Sequence, residues 1–327
     1  MSLGKSASEV VGAGDATEWA SPRERWASLI QWGIVISVGL MDLILARITG
    51  ISLSLPIRAV ETSAAIFAVW PFAAIFTRLS GFAVGCEVIA ENLAKLLLFS
   101  FFAGALSYYL AINPAPLHDA LMVEIDRFFG FSWQDFFGSV GSHPALATSF
   151  SYLYVILVPE TLLLLLFIGA IYPRRPSLFI SSYFFSLLIT IWAFALFPVA
   201  GPFVYFQHLD MPGAHYVEHY MGMRSGALTT IPLYDLRGIV SFPSFHVSNA
   251  LIIVYFLRGL PVVFPLAVIA NAGMSVAALY VGGHYLSDAL GGLVVGLATI
   301  AFTQWLEGAT AETRRPLWKK QITVASA

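Results

Sequence analysis

Long apolar runs, separated by short polar or proline-containing joints, make up most of the chain. A helix of roughly 20 predominantly apolar residues crosses a ~30 Å hydrocarbon core. Candidate spans fall at about Leu29–Ala46, Ile57–Phe76, Leu93–Ile112, Tyr152–Tyr172, Leu178–Val199, Ser244–Leu257, Val262–Val281 and His284–Trp305. Asn113-Pro114-Ala115-Pro116 closes the third run, because proline cannot continue a helix and turns its predecessor away from helical geometry. Between the third and fourth runs, residues 117–140 alternate acids with aromatic residues (Asp119, Asp126, Phe128, Phe129, Trp133, Asp135). That pattern predicts an amphipathic segment lying in the interface rather than crossing it. Glu87, Glu91 and Lys95 are spaced by four and predict a solvated charged stripe at the entrance of the third run. The fold class expected is all-α: a polytopic membrane helix bundle of about eight transmembrane helices, with no soluble domain and no internal repeat.

Composition agrees with this pattern. The 327 residues are 58% apolar and only 11% charged, against about a quarter charged in soluble domains, and the mean hydropathy is +0.79. A net charge of −2 gives no electrostatic footprint for nucleic acid. The single cysteine, Cys86, excludes an intramolecular disulfide. The first apolar run begins too late, and is too long, for a cleaved signal peptide, so it reads as a retained span. The expected organisation is a flexible tail over 1–28, two accessory helices over 29–92, a membrane core over 93–306 and a basic tail over 307–327.

Charge along the chain sets an orientation. With a cytoplasmic N-terminus, only Arg47, Arg58, Arg127, Arg224 and Arg237 of the 17 Lys and Arg lie on the outer side. This obeys the positive-inside bias. Both termini are then cytoplasmic, and His246 and His284 face the same, extracytoplasmic compartment.

The candidate chemistry lies between Ser241 and Asp288. His246 opens one apolar run and His284 opens another, with Asp288 four residues after it. Residues i and i+4 share a helix face. Asp288 can therefore accept a hydrogen bond from one ring nitrogen of His284, leaving the other unprotonated and nucleophilic. His246, brought alongside, is the second proton handler. Ionisable groups at membrane helices are costly and tend to be functional.

At these residues the chain resembles a family. Pro243-Ser244-Phe245-His246 is similar to the Pro-Ser-Gly-His motif of the type 2 phosphatidic-acid phosphatase superfamily. His284-Tyr285-Leu286-Ser287-Asp288 resembles the end of that superfamily's Ser-Arg-x5-His-x3-Asp motif. The resemblance covers roughly Leu93 to Leu306 and implies a six-helix phosphatase-like core. It assigns His284 as the nucleophile forming a phospho-histidine, Asp288 as its orienting carboxylate and His246 as the acid on the leaving oxygen. It requires no metal or other cofactor. The chain also departs from the pattern. Ala277 and Ala278 stand where the Ser-Arg pair would fall, and Ile168 stands where the lysine of Lys-x6-Arg-Pro would precede Arg175-Pro176. The proposed topology puts Arg175 on the opposite side in any case. These losses, with Phe197-Pro198-Val199-Ala200-Gly201-Pro202 upstream, look more like the branch containing inositol phosphorylceramide synthase, which transfers a phospho-headgroup between lipids.

With those cations absent, helix N-termini after Pro243-Ser244 and Gly282-Gly283 are candidate phosphate sites, through unpaired N–H groups and a positive dipole end. Ser244 and Gly283 are the residues expected there, with Arg237 as the first replacement cation and Arg224 as the second. From His246 to Arg258 is ~18 Å of helix at ~1.5 Å per residue. That span is shorter than the hydrocarbon core, which puts His246 near the level of lipid phosphates. The expected partners are the bilayer, a membrane lipid substrate, and a lipid or water acceptor. A hydrolase acting on phosphatidate or a polyprenyl (pyro)phosphate is the enzymatic alternative. A transporter using Glu160 and Asp42 as an ion path is the non-enzymatic one. His215 and His219, with Glu218, have a spacing compatible with zinc but no third ligand pattern.

Overall fold

The computed structural model describes residues 22–54, 83–171 and 175–309. Its long helices are α1 (Pro22–Thr49), α2 (Ala83–Ala111), α5 (Pro144–Val155), α6 (Leu157–Ile171), α7 (Arg175–Leu196), α10 (Phe245–Leu257), α11 (Val263–Tyr280) and α12 (Leu286–Ala309). Shorter ones are α3 (Asp119–Phe128), α4 (Trp133–Gly141), α8 (Pro202–Tyr205) and α9 (Val217–Ser225). Two three-residue strands, β1 (Ser52–Ser54) and β2 (Thr230–Pro232), pair in parallel, Ser52 opposite Thr230. The chain is an all-α membrane bundle. Six helical segments among the described residues are long and apolar enough to cross a bilayer, and α10 is a shorter apolar helix beside them. The expected span at Ile57–Phe76 lies outside the described residues.

The fourth expected span is two helices. Pro159 has no N–H to give the carbonyl four residues back, that of Val155, and α5 ends there. The two together still form one apolar segment, Pro144–Ile168. Pro144 opens α5 at a position where a missing N–H costs nothing. Gly226 closes α9 in the left-handed region, at φ 74°.

α10 is the hub, packed against α6, α7, α11 and α12. The main core is apolar and includes Phe99, Phe179, Phe184, Ile253 and Phe256, with the Phe99 and Phe184 rings stacked at 3.8 Å. Outward faces carry large apolar side chains. Ile36 is 57% exposed, Ile269 70% and Val294 66%. In water such continuous patches would drive association; in a bilayer they are the lipid-facing surface.

One expectation gains detail and one is corrected. Residues 117–140 are two helices turning at Gly130 (φ 72°), and their acids do not all face outward. Asp119, Met122, Val123 and Asp126 are buried on one face of α3, while Phe128 and Phe129 are exposed. The Glu87–Lys95 stripe is not a solvated helix end either. Lys95 is 1% exposed, and it donates to Ser28 (2.9 Å) and Gln31 (3.0 Å) on α1 and pairs with Glu91 at 2.8 Å. A buried ammonium requires such partners, and here they lock α2 to α1.

The end of the bundle away from the histidines is fixed by an ion pair. Arg258, just after α10, reaches Glu307 near the end of α12 at 3.1 Å and lies over the Tyr255 ring at 3.4 Å. From Asp288 to Glu307 α12 rises about 28 Å, at ~1.5 Å per residue. That is close to the ~30 Å hydrocarbon thickness. The Arg258–Glu307 pair and Asp288 are thus about one hydrocarbon thickness apart along α12.

Candidate active site

The first turn of α12 builds half of the site. Tyr285 precedes the helix, and Asp288, three residues on, reaches back to accept the Tyr285 N–H at 2.9 Å, the reciprocal half of a capping box. The same oxygen, Oδ2, accepts from Ser241 Oγ at 2.7 Å and faces His284 Nδ1 at 3.4 Å. Asp288 is fully buried and its other oxygen has no partner among the described residues. The carboxylate is thus fixed by backbone and serine before histidine uses it. His284 Nε2 points the other way, to Ser244 Oγ at 3.4 Å.

The second half is the start of α10. Ser244 N–H donates to the Asp288 carbonyl at 2.9 Å, which joins the two helix starts. Ser244 precedes α10, yet its side chain makes no capping bond. Among the described residues the first N–H groups of α10 likewise have no acceptor, so the helix N-terminus is open toward the histidines. The His246 and His284 ring centroids are 5.7 Å apart, close enough to serve one phosphorus atom.

Both histidines line a cavity of about 220 Å³, together with Arg237, Tyr154, Ser241 and Gly282. Arg237 comes from the loop before α10. Its guanidinium donates to Asp235 at 2.9 and 3.2 Å and to the His215 carbonyl. The Asp235 bond raises the arginine's pKa and lowers that of the carboxyl. The Arg237 N–H donates to Tyr108 Oη at 3.0 Å, and Tyr108 in turn bonds His219 Nδ1 at 2.7 Å. Burial, then the charge of Arg237, depresses the His219 pKa. Arg224, the second cation expected, is elsewhere. It donates to the carbonyls of Asn113 and Ala115 at 2.7 and 2.6 Å, so it clasps the proline-rich turn after α2.

Gly283 lies beside the nucleophile candidate at φ 61°, and a Cβ there would meet the Phe203 ring at 2.4 Å. Its N–H has no acceptor among the described residues. Glu160 accepts from Asn271 at 2.8 Å. Neither Glu160 nor Asp42 lines the cavity.

Four residues that sequence reasoning missed support the site. Tyr154 of α5 stacks on His246, with centroids 4.7 Å apart, and its ring edge is where a Cβ on Gly282 would be, at 2.9 Å. Its hydroxyl has no hydrogen-bond partner among the described residues. Ser241 holds Asp288, as above. Asp126 of α3 caps α12, accepting from the N–H groups of Leu286 (3.0 Å) and Ser287 (2.7 Å). Asp119 accepts from the N–H groups of Ala200 (3.0 Å) and Gly201 (2.9 Å) and from Tyr285 Oη (3.0 Å). Burial raises both carboxyls above the usual carboxylate range, against the pull of these bonds. These acids of the amphipathic segment brace both turns of the site. A period-seven pair of acids around Met122 and Val123 was the signal available for them.

The PAP2 superfamily model matches residues 120–302, more than half of the chain, including every residue named from Ser241 to Asp288. No curated protein and no solved structure matches the chain closely enough to count.

Proposed function

From the premise that the chain belongs to the PAP2 superfamily, and is a membrane enzyme of phosphatase or phosphotransferase type, we propose a phospho-headgroup transferase acting on a phospholipid through a phospho-histidine. The observation that carries this is the two-sided setting of His284. Its Nδ1 faces a buried carboxylate, while its Nε2 faces the open N-terminus of α10 with His246 alongside. Phosphoryl transfer is mainly positioning and charge stabilisation, and these groups supply both.

In the proposed cycle, the His284 Nε2 lone pair forms a bond to phosphorus. The bond to the lipid alcohol oxygen breaks with its electron pair, and His246 gives that oxygen a proton. Asp288 stabilises the charge that develops on the imidazole. In the second half, an acceptor hydroxyl gives its proton to His246 and bonds phosphorus, and the N–P bond returns its pair to His284. Ser244, the Gly283 N–H and Arg237 hold the phosphate oxygens. The charge inventory favours a phosphodiester. Among the described cavity residues Arg237 is the lone arginine or lysine, and it is already paired with Asp235. A monoanionic diester fits such a site better than a dianionic monoester. The losses at Ala277, Ala278 and Ile168 support the inositol phosphorylceramide synthase-like branch in the same way. Hydrolysis would differ only in water replacing the alcohol. The charge bias in the sequence supports cytoplasmic termini and an extracytoplasmic site.

The test is incubation of the purified protein in vesicles with headgroup-labelled phosphatidylinositol or with labelled phosphatidate. Acid-labile protein-bound label is expected from the diester, chased by an added alcohol lipid. Turnover that survives His284→Ala overturns the mechanism. Phosphate release in buffer alone overturns the transferase assignment.

A further inference from the structure

The cavity continues past the histidines into the bundle. Its lining on α2 is Ser100, Ala103, Gly104 and Ser107, a stripe of small side chains on one helix face, and Tyr183 and Ile191 of α7 line it too, Tyr183 closing it at Ser100. From Ser107 to Ser100 is about 10 Å along the helix, entirely within segments apolar enough to span the bilayer. Phe245, the residue before His246, meets the Tyr183 ring edge-on at 5.3 Å, so this limb descends beside the start of α10.

Its hydroxyls do not call for a polar ligand. Ser107 donates to the Gly104 carbonyl at 2.6 Å and Ser100 to the Leu96 carbonyl at 2.7 Å. The Tyr183 hydroxyl bonds Ser100 Oγ at 2.9 Å, and must be the donor there. Every hydrogen is therefore placed within the protein, and what remains is a narrow apolar slot. At about 220 Å³ for the whole cavity, the space is below the ~300–1,000 Å³ usual for ligand pockets. A phosphate and the first carbons of one slender chain fit; two chains side by side do not. α2 also lies outside the residues matched to the family, 120–302, so this wall is supplied by a helix the family match does not include.

We infer that the limb between α2 and α7 is the binding site for one hydrocarbon chain of the lipid alcohol, occupied in turn by the leaving alcohol and by the acceptor. This rests on the proposed phosphotransfer. The oxygen that leaves with a proton from His246 and the oxygen that later returns one to it occupy the same place, since the second half-reaction is the first in reverse. The chains attached to those oxygens then share one slot.

Two variants read the slot like a ruler. Ser107→Leu fills it near the phosphate and Ser100→Leu fills its far end. Protein-bound label is measured from headgroup-labelled phosphatidylinositol with butanoyl or oleoyl chains, and from the single-chain oleoyl lyso form. Ser107→Leu is expected to slow labelling from every donor at least tenfold, the oleoyl donors most. Ser100→Leu is expected to move the preferred chain to a shorter length with the butanoyl rate unchanged, which also shows that the variant is folded. Chasing the labelled protein with short- and long-chain alcohols should show the same pattern. An unchanged chain-length profile in both variants overturns the slot. A chase indifferent to chain length overturns its sharing by the two alcohols. Absence of His284-dependent label from every donor in wild type would instead overturn the phosphotransfer reading beneath it.

Discussion

Asp288→Asn tests the electrostatics of the site with little change of shape. Asp288 Oδ2 faces three donors, Ser241 Oγ, the Tyr285 N–H and His284 Nδ1, while Oδ1 has no partner among the described residues. An asparagine with its oxygen in the Oδ2 position keeps all three and puts its NH2 where the unpaired oxygen was. The fold and the histidine tautomer should survive. What disappears is a negative charge 3.4 Å from the imidazole. At an effective dielectric near 20, unit charges ~4 Å apart interact by about 4 kcal/mol. The full interaction exists only when the imidazole carries positive charge, as it does when Nε2 is bonded to phosphorus. Each ~1.4 kcal/mol is tenfold in rate, so kcat should fall by about 10²- to 10³-fold with KM little changed. Asp288→Ala is the contrast. It strands buried donors at ~1–3 kcal/mol each and should lower the unfolding temperature as well. The assay is labelling of His284 under single turnover, with thermal unfolding in detergent as the control. A stable Asp288→Asn protein labelling within threefold of wild type would refute the role given to the carboxylate.

Three further outcomes follow from other contacts. Tyr154→Phe keeps the ring on His246 and removes only the hydroxyl; kcat should drop about 10²-fold, as on losing one transition-state donor, whereas wild-type turnover would reduce Tyr154 to a support for His246. Gly283→Ala must hold φ 61° and push against Phe203 at 2.4 Å. Together these should cost about 2–4 kcal/mol in denaturant unfolding, and a loss below ~1 kcal/mol would contradict the close approach. His219 has a depressed pKa, so its stabilisation is complete above the unfolded value of ~6.5 and is lost as pH falls through the folded one. The groups facing it are Tyr108, Asp235, Arg237, Glu218 and His215. Thermal unfolding followed downward from about pH 7.5 should show a steeper loss in wild type than in His219→Gln; parallel curves would rule the residue out as the source.

The sequence carried what local patterns can carry. Apolar run length located the apolar helices among the described residues, and the i,i+4 relation of His284 and Asp288 is present in the folded chain because one helix start fixes both. It also brought His246 to the same end of the bundle as His284. Contacts between distant segments left weaker marks. Tyr154 is one aromatic among many in an apolar helix, and only packing reveals that it covers His246. The alternation around Asp119 and Asp126 marks an amphipathic segment but not which residues turn inward; unpaired N–H groups at residues 200–201 and 286–287 draw both acids in. Lys95 looked like a helix-end charge because charged groups usually face solvent, and partners on α1 allow it to be buried.

In the proposed mechanism the Arg258–Glu307 anchor and the ~28 Å of α12 above it act as a plumb line, since the imidazole assigned to react hangs at a height set by the protein and not by its surroundings. In a host membrane whose leaflets are several ångströms thicker, that height falls below the plane where donor headgroups ride, and each lipid must be drawn inward to react. In a thinner one the histidines stand among hydrated headgroups and meet more competing water. Lipid composition far from the pocket would then tune both the rate and the balance between alcohol and water as acceptor, without altering a single contact inside it.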